Sequence, residues 1–258
     1  MVMTNDEGRM TNAVRRIREF VEVRHADCMA VMAEFPDGWF DLAIVDPPYG
    51  ISAPRMGMAT DVRDGKYEPS HSRLARCGKN AKLKNRAFSR MNTDWDLSPP
   101  SAEYFRELKR VSKSQIIWGG NYFDLPPTRC VICWDKEQPW ENFSQWEMAW
   151  TSFDKPAAKF SQQNGSQSPN KIHPTQKPVK LYDWLLAKYA KPGQRILDTH
   201  MGSGSSAIAC HYAGCPLVAC EIDADYFAAA CERIERETAQ MGLFAESVVK
   251  TEPEGLLL

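Results

Sequence analysis

Short apolar segments alternate along this chain with segments of helical periodicity, and this alternation limits the folds that the sequence can adopt. The apolar segments are four to six residues long, which is typical of buried strands. We predict strands at residues 40–45, 115–118, 130–134, 146–150, 195–198 and 217–220. We predict helices at residues 102–111, 179–190, 205–213 and 225–239. Strands that alternate with helices predict an α/β domain with a mostly parallel sheet.

The composition indicates one folded domain over residues 1–258. A hydrophobic share of 43% and a charged share of 25% exclude global disorder. No apolar run approaches the ~18 residues of a membrane span, and the first residues do not resemble a signal peptide, so we expect a cytoplasmic protein without a membrane partner. The eight cysteines are expected to be reduced thiols. Cys130 and Cys133 form a single C-x-x-C pair on a predicted strand, and we predict no metal site there.

Positive charge is concentrated in residues 51–93, which contain ten Lys or Arg and three Asp or Glu. Their local net charge is +7, whereas the whole chain has a net charge of −1. Residues 71–90 contain seven basic residues and no acidic one. Because residues 71–90 show neither a helical nor a strand period, we predict a long basic insertion loop over residues 51–93. A loop of this kind is either a solvated surface or a contact for a polyanion.

The tetrapeptide Asp46-Pro47-Pro48-Tyr49 directly follows the first predicted strand. Open α/β sheets bind ligands at the carboxyl ends of their strands, which is where this tetrapeptide falls. Two prolines stiffen the turn and have no N–H of their own, so that backbone carbonyls can face a ligand. Asp46 supplies a carboxylate acceptor and Tyr49 an aromatic face. The pattern predicts a site that accepts hydrogen bonds from an amino group and stacks on its ring, although a Pro-Pro turn capped by Asp would look the same.

A second candidate site lies where the predicted strand 195–198 runs into a loop of small residues and then into a helix. Glycines such as Gly202 and Gly204 let the backbone approach a ligand closely, and a helix N-terminus offers free N–H groups. Glu221 ends the next predicted strand, where an acidic residue can bind ribose hydroxyls. Such loops also bind dinucleotides or simply turn. The third glycine of the dinucleotide fingerprint is missing, because position 207 is Ala, which disfavours a nicotinamide oxidoreductase.

Residues 171–178 lead into the helix predicted at residue 179. Thr175 and Lys177 make this helix start cationic and rich in donors, which suits a carboxylate ligand. A plain helix N-terminus with a proline near its first turn is the alternative. Residues 154–172 precede it and are predicted as a short loop.

The combination and order of these motifs resemble the amino-methylating DNA methyltransferases of the β arrangement, in which the catalytic tetrapeptide precedes the cofactor loop. The resemblance covers roughly residues 20–240 and includes residues 24–28, 35–37, 110–123 and 146–153. It implies a Rossmann-like S-adenosylmethionine-dependent methyltransferase fold with helices on both faces of the sheet. It also implies S-adenosylmethionine as the methyl donor and an exocyclic amine of DNA as the acceptor. The DPPY form of the tetrapeptide favours adenine N6 over cytosine N4.

The resemblance also implies roles for individual residues. Asp46, Pro47, Pro48 and Tyr49 would form the catalytic turn, with Tyr49 stacked on a flipped base through its ring and not through its hydroxyl. The residues that would contact the cofactor are Asp27, Asp46, Thr175, Lys177, Asp198, Thr199, His200, Gly202, Ser203, Gly204, Ser205 and Glu221. The basic loop would bind DNA phosphates through Arg73, Arg76, Lys79, Lys82, Lys84, Arg86 and Arg90. His200 departs from the family, which usually has Phe at this position.

Several alternatives remain open from the sequence. The acceptor could be cytosine N4 in DNA or adenine in RNA, since the turn would accept either amine. A different class of protein is a non-catalytic nucleotide sensor with DNA affinity, but such a sensor would not need the amine-accepting turn at residues 46–49. Without a large separate recognition domain, specificity would depend on short loops, with residues 154–172 as a minor target-recognition element. A homodimer is compatible with the sequence.

Overall fold

The structure, a computed structural model, describes residues 13–51, 60–63, 66–69, 96–138, 144–163, 172–173 and 175–248. The strands are β1 (Ala13–Ile17), β2 (Val21–His25), β3 (Leu42–Val45), β4 (Thr60–Arg63), β5 (Lys66–Pro69), β6 (Gln115–Trp118), β7 (Ile132–Asp135), β8 (Trp146–Thr151), β9 (Ala158–Ser161), β10 (Ile196–Asp198) and β11 (Leu217–Glu221). The helices are α1 (Cys28–Ala33), α2 (Ala102–Val111), α3 (Val179–Tyr189), α4 (Ser205–Ala213) and α5 (Ala224–Val248). A short 3₁₀ turn covers Gly120–Tyr122.

Nine of these strands form one sheet in the order β1-β2-β11-β10-β3-β6-β8-β7-β9, and β4 and β5 form a separate antiparallel hairpin. In the large sheet, five of the eight neighbouring pairs are parallel. The chain continues from β3 to β6 on one side and from β10 to β11 on the other side. The point where the strand order reverses therefore lies between β3 and β10. Ligands of open α/β sheets bind at such a point, beyond the carboxyl ends of the strands.

Alternating side chains of the strands pack against helices on both faces of the sheet. Leu42 and Ile44 of β3 belong to a core with residues of α3, α4 and α5. Ala43 and Val45 point to the opposite face, where they pack with residues of α2 and with Met32 of α1. All four β3 residues are buried, as expected for a central strand covered on both faces.

The sequence predicted most of the elements that position this sheet. Helices α2 and α4 have the predicted bounds, and α3 and the strands β6, β8, β10 and β11 match within one residue. The strand expected at residues 130–134 is Ile132–Asp135, and α5 extends to Val248. The sequence did not predict β1, β2, α1, the β4–β5 hairpin or β9. The hairpin lies within the predicted basic loop, and β9 lies within the predicted loop 154–172.

Some expectations concern the chemistry of the chain as a whole. Seven cysteines lie among the described residues, and all seven are free thiols. No group of three or more His, Cys, Asp or Glu side chains in the described ranges could hold a metal ion. Of the helices that the structure describes, none is both long enough and apolar enough to cross a bilayer.

Candidate active site

The tetrapeptide at residues 46–49 lies at the carboxyl end of β3, beside the point where the strand order reverses. The Tyr49 hydroxyl donates a hydrogen bond to Asp46 Oδ1 at 2.6 Å. Burial, together with the nearby charges of Asp46 and Glu147, raises the pKa of Tyr49, so the hydroxyl remains a donor. The sequence predicted a stacking role for the Tyr49 ring. It did not predict a contact between the Tyr49 hydroxyl and Asp46. This bond holds the carboxylate in one orientation.

Asp46 is the last member of a row of alternating charges that we call the buried charge chain: Lys136, Glu147, Lys177 and Asp46. Lys136 Nζ lies 2.5 Å from Glu147 Oε1, and Lys177 Nζ lies 3.2 Å from Glu147 Oε2. Lys177 also donates a short hydrogen bond to Asp46 Oδ2. Opposite charges thus follow one another from the residue after β7 and from β8 to the turn at residues 46–49.

The Lys177 ammonium is the most deeply buried member of the buried charge chain. Its side chain is 3% exposed, against 19% for Asp46 and 23% for Glu147. Burial alone would lower the pKa of Lys177, but Asp46 and Glu147 raise it above its usual value. Burial would likewise raise the pKa of Glu147, but Lys177 and Lys136 lower it. Each of these charges therefore has an opposite charge beside it, as the buried Lys177 ammonium requires.

Aromatic rings and two glycines surround Tyr49. The Tyr122 ring stacks on the Tyr49 ring with centroids 5.0 Å apart and planes inclined by 15°, and Phe123 meets Tyr49 edge-on. Gly119 has φ +69°, and a Cβ at this position would collide with the Tyr49 ring. The glycine is therefore required both by the left-handed backbone conformation and by the close approach of the ring.

The loop after β10 is held by side chains that face away from the cleft. Asp198 is buried, and its carboxylate accepts hydrogen bonds from His200 N at 3.1 Å and from the Ser206 hydroxyl at 2.5 Å. Burial raises the pKa of Asp198 to about 6. Arg233 of α5 donates to the Ser203 carbonyl at 2.8 Å and to Ser205 Oγ at 2.9 Å. These hydrogen bonds fix the conformation of the loop.

Gly204 is the turning residue of this loop. It has φ +74°, and a Cβ there would lie 2.8 Å from Ile234 Cδ1 of α5. The glycine thus lets the start of α4 lie close to α5. Ser205 Oγ also donates to the Lys177 carbonyl at 2.7 Å, which joins the loop to the segment before α3.

His200 has a defined environment in the position where the methyltransferases that the sequence resembles usually have Phe. Its Nδ1 lies 2.9 Å from Thr199 Oγ1, which in turn is 2.6 Å from the Tyr104 hydroxyl. The His200 and Tyr104 rings meet edge-on, with centroids 5.5 Å apart. Burial lowers the pKa of His200 to about 4, so the imidazole is neutral near pH 7. The ring can therefore replace an apolar aromatic side chain without adding charge.

Glu221 lies at the end of β11 and lines the same cavity as this ring. Its Oε2 accepts from Gly202 N at 2.9 Å, and its Oε1 accepts from Asp223 N at 3.0 Å. Burial raises the pKa of Glu221 to about 7. Each oxygen of a carboxylate has more than one acceptor position, so both oxygens can still accept from a ligand.

One cavity of about 1110 Å³ connects the turn at residues 46–49 with the loop after β10 and with Glu221. Small-molecule sites usually measure ~300–1,000 Å³, so this cavity has room for a cofactor together with part of a second ligand. The predicted site residues that line it are Asp46, Pro47, Pro48, Tyr49, Thr175, Lys177, His200, Gly202, Ser203, Ser205 and Glu221.

Other predicted residues lie elsewhere. Asp27 caps helix α1, where its Oδ1 accepts from Met29 N and Ala30 N. Asp198 and Thr199 form hydrogen bonds that fix the loop after β10, and Gly204 forms the turn of this loop. The seven basic residues expected to bind DNA lie outside the described residues: Arg73, Arg76, Lys79, Lys82, Lys84, Arg86 and Arg90.

The structure also adds residues to the cavity to which the sequence assigned no role. Among them are Tyr122, Lys136, Glu147, His173 and Tyr226. Tyr122 and Glu147 fall in segments that carry the family resemblance, and this was the only signal for them. His173 is buried against Tyr226, with ring centroids 4.4 Å apart, and burial lowers the pKa of His173 to about 3.

Comparisons with known proteins show which proteins this chain is similar to. Residues 117–232 match the DNA methylase family. The "Putative methylase YubD" of Escherichia coli (strain K12) is 23% identical over 229 residues, which cover 81% of this chain and 87% of that protein. The "Type II methyltransferase M.HpaI" of Haemophilus parainfluenzae is 30% identical over 79 residues, which cover 31% of this chain and 25% of that protein.

A solved structure supports the fold. The chain is similar to the PvuII DNA methyltransferase (cytosine-N4-specific), with a TM-score of 0.51, 14% sequence identity, and coverage of 86% of this chain and 93% of that one. Together with the mostly parallel sheet and the helices on both of its faces, this similarity confirms the predicted methyltransferase fold.

Proposed function

Because these findings support the DNA methyltransferase family, we propose that this chain transfers a methyl group from S-adenosylmethionine to an exocyclic amine of DNA, with adenine N6 as the preferred acceptor. One observation carries the proposal. The amine-accepting turn with Asp46 and Tyr49 and the loop with Gly202 and Glu221 line one cavity at the reversal point of the sheet. A donor and an acceptor of a methyl group can therefore meet there.

The proposed role of Asp46 follows from the chemistry of the acceptor. An exocyclic amine is a poor nucleophile because its lone pair is delocalised into the ring. Accepting its hydrogens at the Asp46 carboxylate and the Pro47 carbonyl localises the lone pair and orients it. S-adenosylmethionine, when bound, would supply a sulfonium methyl group: the C–S bond would break as the N–C bond forms, S-adenosylhomocysteine would leave, and the proton lost by the amine would pass to solvent. The target base has to leave the duplex first, and stacking on Tyr49 offsets part of that cost.

The residues around the loop after β10 fit the proposed cofactor. The Glu221 carboxylate faces the cavity with acceptor positions for ribose hydroxyls, and Thr175 and Ser203 bring hydroxyls for the methionine part. His200 replaces the usual Phe as a neutral ring. Asp27, by contrast, lies outside the lining of this cavity and has Oδ1 engaged at the start of α1, so a contact with the cofactor adenine would have to use its other oxygen.

Cytosine N4 is a second candidate acceptor. The similar solved structure is described as cytosine-N4-specific, and the Asp46 carboxylate and Pro47 carbonyl would accept hydrogens from either amine. Long-read sequencing tests the proposal and distinguishes the two bases. DNA from a methylation-free host that expresses the wild type should contain N6-methyladenine in one sequence context. N4-methylcytosine instead would identify the second acceptor, and unmodified DNA would contradict the proposed function.

Replacing Tyr49 should separate its ring from its hydroxyl. Tyr49→Ala should lose roughly 1–3 kcal/mol of base stacking, which is about 5- to 150-fold in kcat/KM. Tyr49→Phe keeps the ring but removes the donor to Asp46, so its loss should be smaller. Steady-state methyl transfer measures both, with the surface variant Tyr212→Ala as control. Equal activity of the Phe and Ala variants would contradict stacking.

The pKa of Glu221 predicts how cofactor affinity depends on pH. A carboxyl group whose pKa is about 7 is mostly protonated at pH 6 and then loses acceptor capacity toward ribose hydroxyls. Affinity for S-adenosylhomocysteine should therefore fall about 10-fold from pH 8 to pH 6, in proportion to the ionised fraction. Calorimetry at several pH values measures this change.

Glu221→Gln is the matched control for this pH dependence. It should bind more weakly at pH 8 and should flatten the decline, because the glutamine amide does not ionise between pH 6 and pH 8. An equally steep decline in the Gln variant would assign the titration to another group.

The basic segment at residues 71–90 predicts a steep salt dependence of DNA binding. Each phosphate contact that is removed should lower the log–log slope by about 0.9 on duplex DNA. We expect Lys79→Ala, Lys82→Ala and Lys84→Ala together to weaken binding across all sequences and to leave S-adenosylmethionine affinity unchanged. A salt titration of DNA binding for the wild type and the triple variant measures the slopes. Superimposable slopes and affinities would mean that the segment is only a solvated surface.

A further inference from the structure

The ammonium of Lys177 occupies a position that the proposed reaction does not explain. It lies between the carboxylates of Asp46 and Glu147 and lines the same cavity as the catalytic turn. Its Nζ is 6.0 Å from the centre of the Tyr49 ring and 5.3 Å from that of the Trp118 ring. A buried cation thus stands beside the group that is proposed to accept the target amine, next to the ring on which the base is proposed to stack.

Lys177 need not release Asp46 completely when an amine arrives. Each Asp46 oxygen has a second acceptor position, and Lys177 has three donor hydrogens. Glu147 Oε2 is buried and lies 3.2 Å from the ammonium, but the pair does not have the alignment of a hydrogen bond. This oxygen offers Lys177 a second acceptor, so a small shift of the ammonium would leave part of Asp46 free. Lys136 holds the other oxygen of Glu147 in place.

Asp46 and Lys177 thereby form an acceptor and a donor side by side. We propose that this pair reads the amidine edge of the flipped base: Asp46 accepts from the exocyclic amine, and Lys177 donates to the ring nitrogen next to the amino-bearing carbon. That nitrogen is N1 in adenine and N3 in cytosine. The inference rests on the proposed function and names Lys177 as a residue that determines specificity.

The pair also explains how the wrong bases would be rejected. Guanine and thymine have a carbonyl where adenine and cytosine have the amine, and they have a ring N–H at the neighbouring position. A carbonyl would face the Asp46 carboxylate and an N–H would face the Lys177 ammonium. Both contacts would be repulsive, and buried charges without partners are costly.

Atomic substitution in the target base tests the inference. Once the methylated position is known, duplexes carry the normal target base or its analogue without the ring nitrogen, which is 1-deazaadenine for adenine or 3-deazacytosine for cytosine. A hydrogen bond to a charged donor is worth about 10- to 100-fold, so the wild type should lose that much in kcat/KM on the analogue. For an adenine target, 7-deazaadenine is the matched control and should be methylated almost normally.

Lys177→Met then identifies the donor. The variant should methylate the normal base more slowly than the wild type does. Its preference for the normal base over the deaza analogue should also shrink, to the ratio set by the intrinsic reactivities of the two bases. A Lys177 that only supports the fold would leave this ratio as large as in the wild type. The wild-type measurement does not depend on the stability of the variant.

The outcomes are distinguishable. A wild type that methylates the deaza analogue as fast as the normal base would contradict the proposed hydrogen bond to the ring nitrogen. The proposed function would remain intact. A ratio unchanged by Lys177→Met would assign the contact to another donor and overturn the role of Lys177. A wild type that methylates neither base would contradict the proposed function itself, and the inference with it.

Discussion

The Asp46→Asn variant is expected to transfer methyl groups at least ~100-fold more slowly than the wild type while keeping its fold and its affinity for S-adenosylmethionine. Asparagine keeps the shape of the side chain and one acceptor oxygen, but it removes the negative charge toward the target amine. The fold should survive, because Lys177 remains paired with Glu147. Single-turnover methyl transfer at saturating cofactor measures the chemical step.

Asp37→Asn is the matched control for this experiment. Asp37 forms an ion pair with Arg110 at 2.7 Å, but its side chain is 82% exposed and lies outside the cavity. The same change of charge should therefore leave the rate unchanged. A folded Asp46→Asn protein with a near-normal single-turnover rate would remove Asp46 from the mechanism.

The Lys177→Met variant is expected to lose about 3 kcal/mol in the free energy of unfolding, because removing one partner of a buried ion pair leaves the other charge uncompensated. The uncompensated charge is that of Asp46, whereas Glu147 keeps its partner Lys136. For a chain of this size, the loss corresponds to a decrease in Tm of roughly 6–12 °C. Denaturant titration and thermal unfolding measure it.

A second substitution should restore much of this stability. The double variant Asp46→Asn, Lys177→Met removes a cation and an anion together and leaves the pair of Lys136 and Glu147. We expect it to be more stable than Lys177→Met alone, because no charge is then left without a partner. Additive losses in the double variant would show that Lys177 supports the fold by packing and not through its charge on Asp46.

The fold could be predicted wherever the sequence pattern is local. Strand β3 lies at the centre of the sheet and is buried on both faces, so its sequence is a continuous apolar run that indicates a strand. Strands β1 and β9 have exposed residues in their burial patterns and lie at the two edges of the sheet. Their charged residues hide the apolar signal, so only pairing with a neighbouring strand reveals them. Helix α1 has only six residues, too few to show a clear period.

The candidate site likewise has one part that can be predicted from a local sequence pattern and one part that cannot. The turn at residues 46–49 and the loop at residues 198–205 are contiguous in sequence, and their chemistry can be read from consecutive residues. The buried charge chain brings together residues separated by up to 131 positions, as for Lys177 and Asp46. Lys177 was expected near a cofactor carboxylate because it stands at a helix start, but its ammonium lies on the Asp46 carboxylate. A local pattern shows that a cation is present without showing its partner.

The sequence by itself determined the class of the fold, the chemistry of the two motifs and the order in which they follow one another, because these depend on local periodicity and on residue type. Only the tertiary structure decided that the two motifs share one cavity, since this depends on β3 and β10 being neighbours in the sheet. It also decided the partners of the Tyr49 hydroxyl and of the buried charges. Long-range packing places those groups out of water, and a buried charge must find its partner wherever the fold brings one within reach.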